Sequence, residues 1–204
     1  MNNEIDLHGR RTAWLCARLC KLFDMPEHQI LDVALAALTH DIGKHALPVE
    51  ILNKPAALTP EERRAVERHC LLGAKRLLQD AAQDSHESTT APVAVALSHH
   101  EWWNGQGYPF GLAGVSIPRF ARVVAVADVF DALMSARPYK LAWSLEETVA
   151  YIADRRDTQF DPECVEAMLL VARALPQDWR TAGENCALYL PAGAGPARDS
   201  RQPT

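Results

Sequence analysis

Residues 30–44, ILDVALAALTHDIGK, place the strongest constraint on the fold. The segment is so apolar all round that its helix belongs at the centre of a packed core. Yet it ends on His40 and Asp41, and a carboxylate in an apolar interior is costly unless something compensates it. Either Asp41 caps the helix or joins an ion pair, with His40 a satisfied core histidine, or the two residues meet a metal ion. The rest of the chain bears on that choice.

The remaining segments also read as helix. Leu7, Trp14, Leu15, Leu19 and Leu22 recur at helical spacing over residues 5–22. Asp24 and Glu27 have capping-box spacing, with Pro26 in a first turn. Thr59, Pro60 and Glu62 form a clearer box and open a helix through HCLLGAKRLL. Residues 80–90 are polar and read as a loop, and Pro92 begins a helix that ends near His99, His100 and Glu101. The Gly-rich stretch NGQGYPFGLAG cannot continue it. Pro118 opens RFARVVAVADVFDALMSA, whose length and alanines outweigh the strand character of Val123, Val124 and Val126. Ser144 and Glu147 make a third box, and Asp161 with Pro162 starts a helix through Leu175. The tail from about Pro191 is rich in Gly, Pro, Ala and Ser and is expected to be disordered. No repeat or domain boundary appears. The expectation is therefore one all-α domain, a helical bundle over residues 1–175, with an extension over 176–204.

Composition removes several function classes. A chain of 204 residues, 48% hydrophobic, buries a core without disulfides. Lys plus Arg is 21 against 26 for Asp plus Glu, so no DNA- or RNA-coating surface is expected. No apolar run approaches the roughly 18 residues of a membrane span, and the opening MNNEIDLHGRR has no secretory h-region. The cysteines number five, in unrelated spacings, and read as reduced, buried thiols of a cytoplasmic protein. Cys16 and Cys20 lie one helical turn apart, but no second pair accompanies them as a thiolate metal site would require.

Histidines and acids recur where apolar side chains would be expected. His99 and His100 are adjacent, about 100° apart in direction on a helix, so both reach one site only near a helix end, which the Gly-rich loop supplies. His69 lies on the helix opened by Thr59, and Asp128 in the apolar run VVAVADVF. Glu4 and His8, four apart, share a helix face. Imidazole with carboxylate suits iron, manganese, zinc or nickel. There are too many such ligands for one ion, whereas two or three ions sharing a bridging carboxylate would use them.

HDIGK (40–44), HHEWWNGQGYP (99–109) and ADVFDALMSARPYK (127–140) occur in the order of the HD-GYP motifs, and from about Glu4 to Met168 the chain resembles that family of HD-superfamily metal-dependent phosphohydrolases. The resemblance implies an all-helical fold with a Gly-rich GYP loop, and a bi- or trinuclear centre of divalent metals, iron or manganese. It also implies cyclic di-GMP phosphodiesterase activity, yielding linear pGpG and in some cases GMP. Carried over by motif, His8, His40, Asp41 and Asp128 match one metal site. Asp41, His69, His99 and His100 match a second, with Asp41 bridging, and Glu4 matches the extra carboxylate of three-metal members. Lys44, Asp131, Arg137 and Lys140 match residues that hold or polarise substrate phosphates and neighbouring groups, and Gly107, Tyr108 and Pro109 are the signature itself. Lys44, Asp41 and Asp131 are thus the catalytic candidates. Asp131, three residues after Asp128, would orient water or protonate the leaving oxygen. Lys44, Gly107, Tyr108, Asp131, Arg137 and Lys140 are the substrate-binding candidates.

The family pattern gives His45 no metal role, and His28 and His86 read as surface residues. Trp102 and Trp103 read as packing the loop down, while Tyr108 either packs or stacks on guanine. The resemblance also implies that this loop docks diguanylate cyclase (GGDEF) domains. Two alternatives are a cyclic-dinucleotide sensor or partner-binding module without turnover, and a phosphohydrolase acting on another nucleotide.

Overall fold

Helical periodicity resolves into α-helices and two 3-10 turns, with no β-strand among the described residues. The computed structural model describes residues 2–83, 89–136 and 141–184, with side chains between 6 and 181. The helices are α1 (Asn2–Leu22), α2 (Glu27–Thr39), α3 (Val49–Leu52), α4 (Pro60–Glu67), α5 (His69–Ala81), α6 (Thr90–Ser98), α7 (Arg119–Met134), α8 (Leu145–Asp154), α9 (Pro162–Arg173) and α10 (Trp179–Glu184). The 3-10 turns span Ile42–Ala46 and Gly114–Ser116.

α1 lies along α2 and α7, and α2 and α7 both touch α6, which in turn packs on α5. Leu15, Leu19, Val33, Val95, Val123 and Phe130 fill the shared interior and are inaccessible to solvent. α2 is buried by its neighbours as its composition predicts: Val33, Ala36 and Ala37 have no exposed surface. Its alanines let the backbones come close, and the Leu38 carbonyl lies 3.0 Å from where a Cβ on Gly9 would sit. The boxes at α4 and α8 form as read. Thr59 Oγ1 accepts from the Glu62 amide and Ser144 Oγ from that of Glu147, while each glutamate accepts from the capping residue's own amide. Asp161 caps α9 with Pro162 in its first turn.

Four boundaries differ from the sequence reading. Asp24 does not cap α2: it adopts φ 49°, two residues before the N-cap, which is Pro26, so its carboxylate is not placed to accept the helix amides. The helix expected from Thr59 through HCLLGAKRLL breaks at Arg68 into α4 and α5. α5 runs on to Ala81, into the segment read as loop, and α9 ends at Arg173. Nor does the core stop at residue 175. Trp179 of α10 is 5% exposed and packs on Trp14 and Phe130, at ring separations of 6.4 and 5.9 Å. An apolar indole too large to leave in water anchors this short helix to α1. Residues 191–204 lie outside the described residues. No described helix is long and apolar enough to cross a membrane.

Candidate metal centre

Five segments deliver imidazoles and acids to one site. His40 is the C-cap of α2, and Asp41 follows it into the 3-10 turn. His69 is the first residue of α5, His99 is the C-cap of α6, and His100 follows. His8 and Asp128 project from the middles of α1 and α7. Three of the imidazoles thus sit at helix ends, and each tethers Nδ1 to a backbone carbonyl three or four residues back. His40 Nδ1 donates to Ala37 O at 2.6 Å, His69 Nδ1 to Val66 O at 2.7 Å, and His99 Nδ1 to Val95 O at 2.9 Å. The Arg68 break that splits α4 from α5 sets up the second of these contacts.

Each such bond aims Nε2 inward. His40 Nε2 lies 3.5 Å from Asp41 Oδ2 and 3.8 Å from Asp128 Oδ1. His69 Nε2 and His99 Nε2 lie 3.4 and 3.8 Å from Asp41 Oδ1, and 3.4 Å from each other. Two groups converge within metal-ligating distance: Asp41, His69, His99 and His100, and separately His8, His40 and Asp41. Asp41 belongs to both. Asp128 Oδ1 reaches His8 Nε2 at 3.0 Å on the side of the second group.

The electrostatics favour a cation. Burial drives the imidazoles of His40 and His69 down to about 4, so both are neutral, the ligating form, near neutral pH. Burial alone would raise the Asp41 carboxyl, but Lys44, His40 and His99 hold it well below the usual carboxylate range. His40 Nε2 and Asp41 Oδ1 are buried with no hydrogen-bond partner. Lone pairs facing one another around an unpartnered carboxylate oxygen are unfavourable by themselves and suit divalent cations. The donor set of nitrogen and oxygen fits iron, manganese, zinc or nickel. His8 differs. Burial opposes its charged form, but Asp128 and Asp131 outweigh that and raise it to about 9. A cation bound there would displace the Nε2 proton.

The Gly-rich loop packs against this cluster. Gly107 passes so near the preceding segment that a Cβ would lie 2.2 Å from the Trp102 amide and 2.5 Å from the His100 carbonyl. That approach lets Tyr108 N donate to His100 O at 3.1 Å, and the Tyr108 ring lies 4.8 Å from the ring of His100, tilted by 32°. Tyr108–Pro109 is a cis peptide. Trp102 and Trp103 are half-buried. The Trp103 amide donates to Gln159 O, and Arg122 lies over the indole, so this ring packs the loop down.

Glu101, 2% exposed, accepts from the amides of Phe110 at 2.7 Å and Leu112 at 2.9 Å. Sequence reasoning gave it no role. The available signal was an acid just ahead of a loop whose amides lack partners. Glu101→Gln leaves one acceptor oxygen for two donors and turns an NH2 towards the other amide. The expected cost is about 1–3 kcal/mol, with faster hydrogen exchange at the Phe110 and Leu112 amides. An unchanged thermal melt and unchanged exchange would mean that the other loop contacts suffice.

The predicted residues therefore divide. His8, His40, Asp41, His69, His99, His100 and Asp128 converge, with Tyr108 stacked at their edge. Lys44 is partly exposed and forms an ion pair with Asp41 Oδ2. Asp131 is fully buried beneath His8. The Glu4 side chain and residues Arg137 and Lys140 lie outside the described residues, as do His86 and Cys186. His45 and His28 are exposed. Cys16, Cys20, Cys70 and Cys164 are buried free thiols, as expected.

Residues 2–164 match the family described as the HD domain. Over 159 residues the chain is 40% identical to "Cyclic di-GMP phosphodiesterase response regulator RpfG" of Xanthomonas campestris pv. campestris, covering 78% of this chain and 41% of that protein. It is 34% identical over 174 residues to "3'3'-cGAMP-specific phosphodiesterase 2" of Vibrio cholerae, covering 82% and 31%. The chain thus spans less than half the length of these relatives. Among solved structures, an HDG"Y"P protein from Bdellovibrio bacteriovorus superposes with a TM-score of 0.66 at 21% identity, covering 83% of this chain and 52% of that one.

Proposed function

The chain belongs to the HD-domain family, in its HD-GYP branch, and from that premise we propose that it is a metal-dependent phosphodiesterase hydrolysing cyclic di-GMP to linear pGpG. The observation that carries the reading is Asp41. It is common to both ligand groups, and its Oδ1 is buried without a hydrogen-bond partner. Asp41, His69, His99 and His100 would hold one ion, and His8, His40, Asp41 and Asp128 the other, with Glu4 reserved for a third. Iron or manganese suits this donor set. Such ions, when bound, supply Lewis acidity and a more acidic water.

The chain's own residues supply the remainder. A phosphodiester is an anion, and Lys44 is a partly exposed cation, able to turn from Asp41 to a non-bridging oxygen. Arg137 offers a planar fork for a second phosphate and Lys140 a point charge. Tyr108, stacked on His100, offers an aromatic face for a guanine. The loop from Trp102 to Gly114 excludes water on that side and is the surface we assign to docking GGDEF domains.

A relative acting on 3'3'-cGAMP matches at 34% identity, so that substrate is the specific alternative. The test presents cyclic di-GMP and 3'3'-cGAMP side by side to protein purified without oxygen and supplied with Fe²⁺ or Mn²⁺, with products separated by chromatography. Release of pGpG at the higher kcat/KM supports the proposal. Preference for 3'3'-cGAMP would replace the substrate, and binding without turnover would make the protein a sensor. Lys44→Ala should keep its metal content and lose roughly a hundredfold in kcat/KM, the lower end of the range for removing one charge-stabilising group. Loss of metal in that variant would make Lys44 a structural partner of Asp41.

A further inference from the structure

We infer that Arg11 and Asp131 are a positioning pair for His8, with Asp131 acting through that ring instead of on the substrate. The inference rests on the metal-centre reading above and adds to it a residue, Arg11, that the motifs leave out. His8 and Arg11 are three apart on α1, Asp128 and Asp131 three apart on α7, and the two helices pack directly. The pairs therefore meet in register. His8 Nε2 faces Asp128 Oδ1 at 3.0 Å, while Nδ1 donates to Asp131 Oδ2 at 2.6 Å. Arg11 grips the same carboxylate with two prongs, Nε to Oδ1 at 2.6 Å and Nη2 to Oδ2 at 3.0 Å. Arg11 Nη2 also reaches Ser135 Oγ at 3.1 Å, and that hydroxyl lies 3.4 Å from Asp131 Oδ2.

The tethers differ in kind. His40, His69 and His99 sit at helix ends and tether Nδ1 to backbone carbonyls three or four residues back. His8 lies inside α1, and its Nδ1 tether is a side chain from another helix. A carboxylate serves, because it fixes the ring and raises the basicity of the opposite nitrogen. Buried unpaired, that carboxylate would be costly; the Arg11 fork matches it geometrically and in charge. Asp131 is 0% exposed and Arg11 8%. Both carboxylate oxygens are occupied, and neither reaches solvent, so Asp131 has no route for handing a proton to a leaving group.

The experiment titrates Mn²⁺ alone into the full chain and its Asp131→Asn, Arg11→Met and Arg11→Lys variants, following each binding event by electron paramagnetic resonance. In parallel, nitrogen-15 histidine NMR of the metal-free proteins reads the His8 Nδ1–H···carboxylate proton. Asp131→Asn should weaken one binding event about 10- to 100-fold, the usual range for an outer-shell partner of a ligating histidine. It should leave the other event unchanged and remove the His8 ring-proton signal. Arg11→Met should weaken the same event and shift the His8 ring-proton signal without removing it, and Arg11→Lys should restore part of the affinity. Both events at wild-type affinity in Asp131→Asn, with only turnover lost, would return Asp131 to the substrate and overturn the inference. Both events weakened equally, with a lowered melt, would make the pair a general structural clamp and overturn it too. Failure of the metal-centre reading is separate, because then the wild type itself would take up no Mn²⁺.

Discussion

Asp41→Ala is expected to abolish turnover, by at least a hundredfold, and to lower metal content in the same preparation. The size follows from geometry. Asp41 is the one residue common to both ligand groups, and its Oδ1 lies 3.4 Å from His69 Nε2 and 3.8 Å from His99 Nε2. Removing it takes a ligand from two sites at once and leaves His69 and His99 Nε2 facing each other at 3.4 Å with no negative charge between them. Loss of an outer-shell partner alone costs about 10- to 100-fold; loss of the shared inner ligand costs more, and a hundredfold is only about 2.7 kcal/mol of barrier. Lys44→Ala provides the contrast, since it touches the same carboxylate but should spare the metals. Elemental analysis of anaerobically purified protein, paired with product formation from cyclic di-GMP, checks both. Near-normal turnover in Asp41→Ala would falsify the metal assignment, and metal-replete but inactive protein would shift Asp41 from ligand to base.

Much of this centre was legible because it conflicts with its surroundings. His40 and Asp41 end an apolar helix, and Asp128 interrupts another; charges at such positions need a reason, and the reason is spatial convergence. The adjacent pair His99 and His100 required a helix end, and α6 stops at Ser98. What stayed hidden is conventional in sequence. Arg11 reads as one more polar residue on an amphipathic helix, and its role shows only when α1 and α7 are docked, where two i, i+3 pairs meet face to face. In sequence Glu101 is only a neighbour of the two histidines, since its partners are backbone amides 9 and 11 residues away. The split between α4 and α5 has no breaker residue at Arg68 to announce it. The packing of α10 on the core was equally hidden, since it rests mainly on Trp179 of a short helix.

Gly43→Ala is the second large effect, and it tests the frame that carries the ligands. Gly43 lies in the 3-10 turn after Asp41, pressed on the first turns of α5. A Cβ there would sit 2.0 Å from the His69 carbonyl oxygen, 2.9 Å from its carbon and 2.5 Å from the Gly73 amide nitrogen. All three are backbone atoms of a helix, so no side chain can swing aside, and the turn has to lift by about an ångström or more. Overpacking a tight site costs about 1–3 kcal/mol and at times more, and rigid neighbours put this case at the upper end. For a domain of this size about 3 kcal/mol lowers Tm by roughly 6–12 °C. The same lift separates Asp41 from His69, so metal affinity should fall along with stability. Gly73→Ala is the control from the facing surface: its Cβ would meet Gly43 N at 3.3 Å, with Ile42 and Ala96 side-chain atoms at 3.5 and 3.6 Å. It should therefore melt close to wild type and keep its metals. Equal melts for the two variants would mean that the turn and α5 are not in rigid contact, and that the spacing between Asp41 and His69 is set elsewhere.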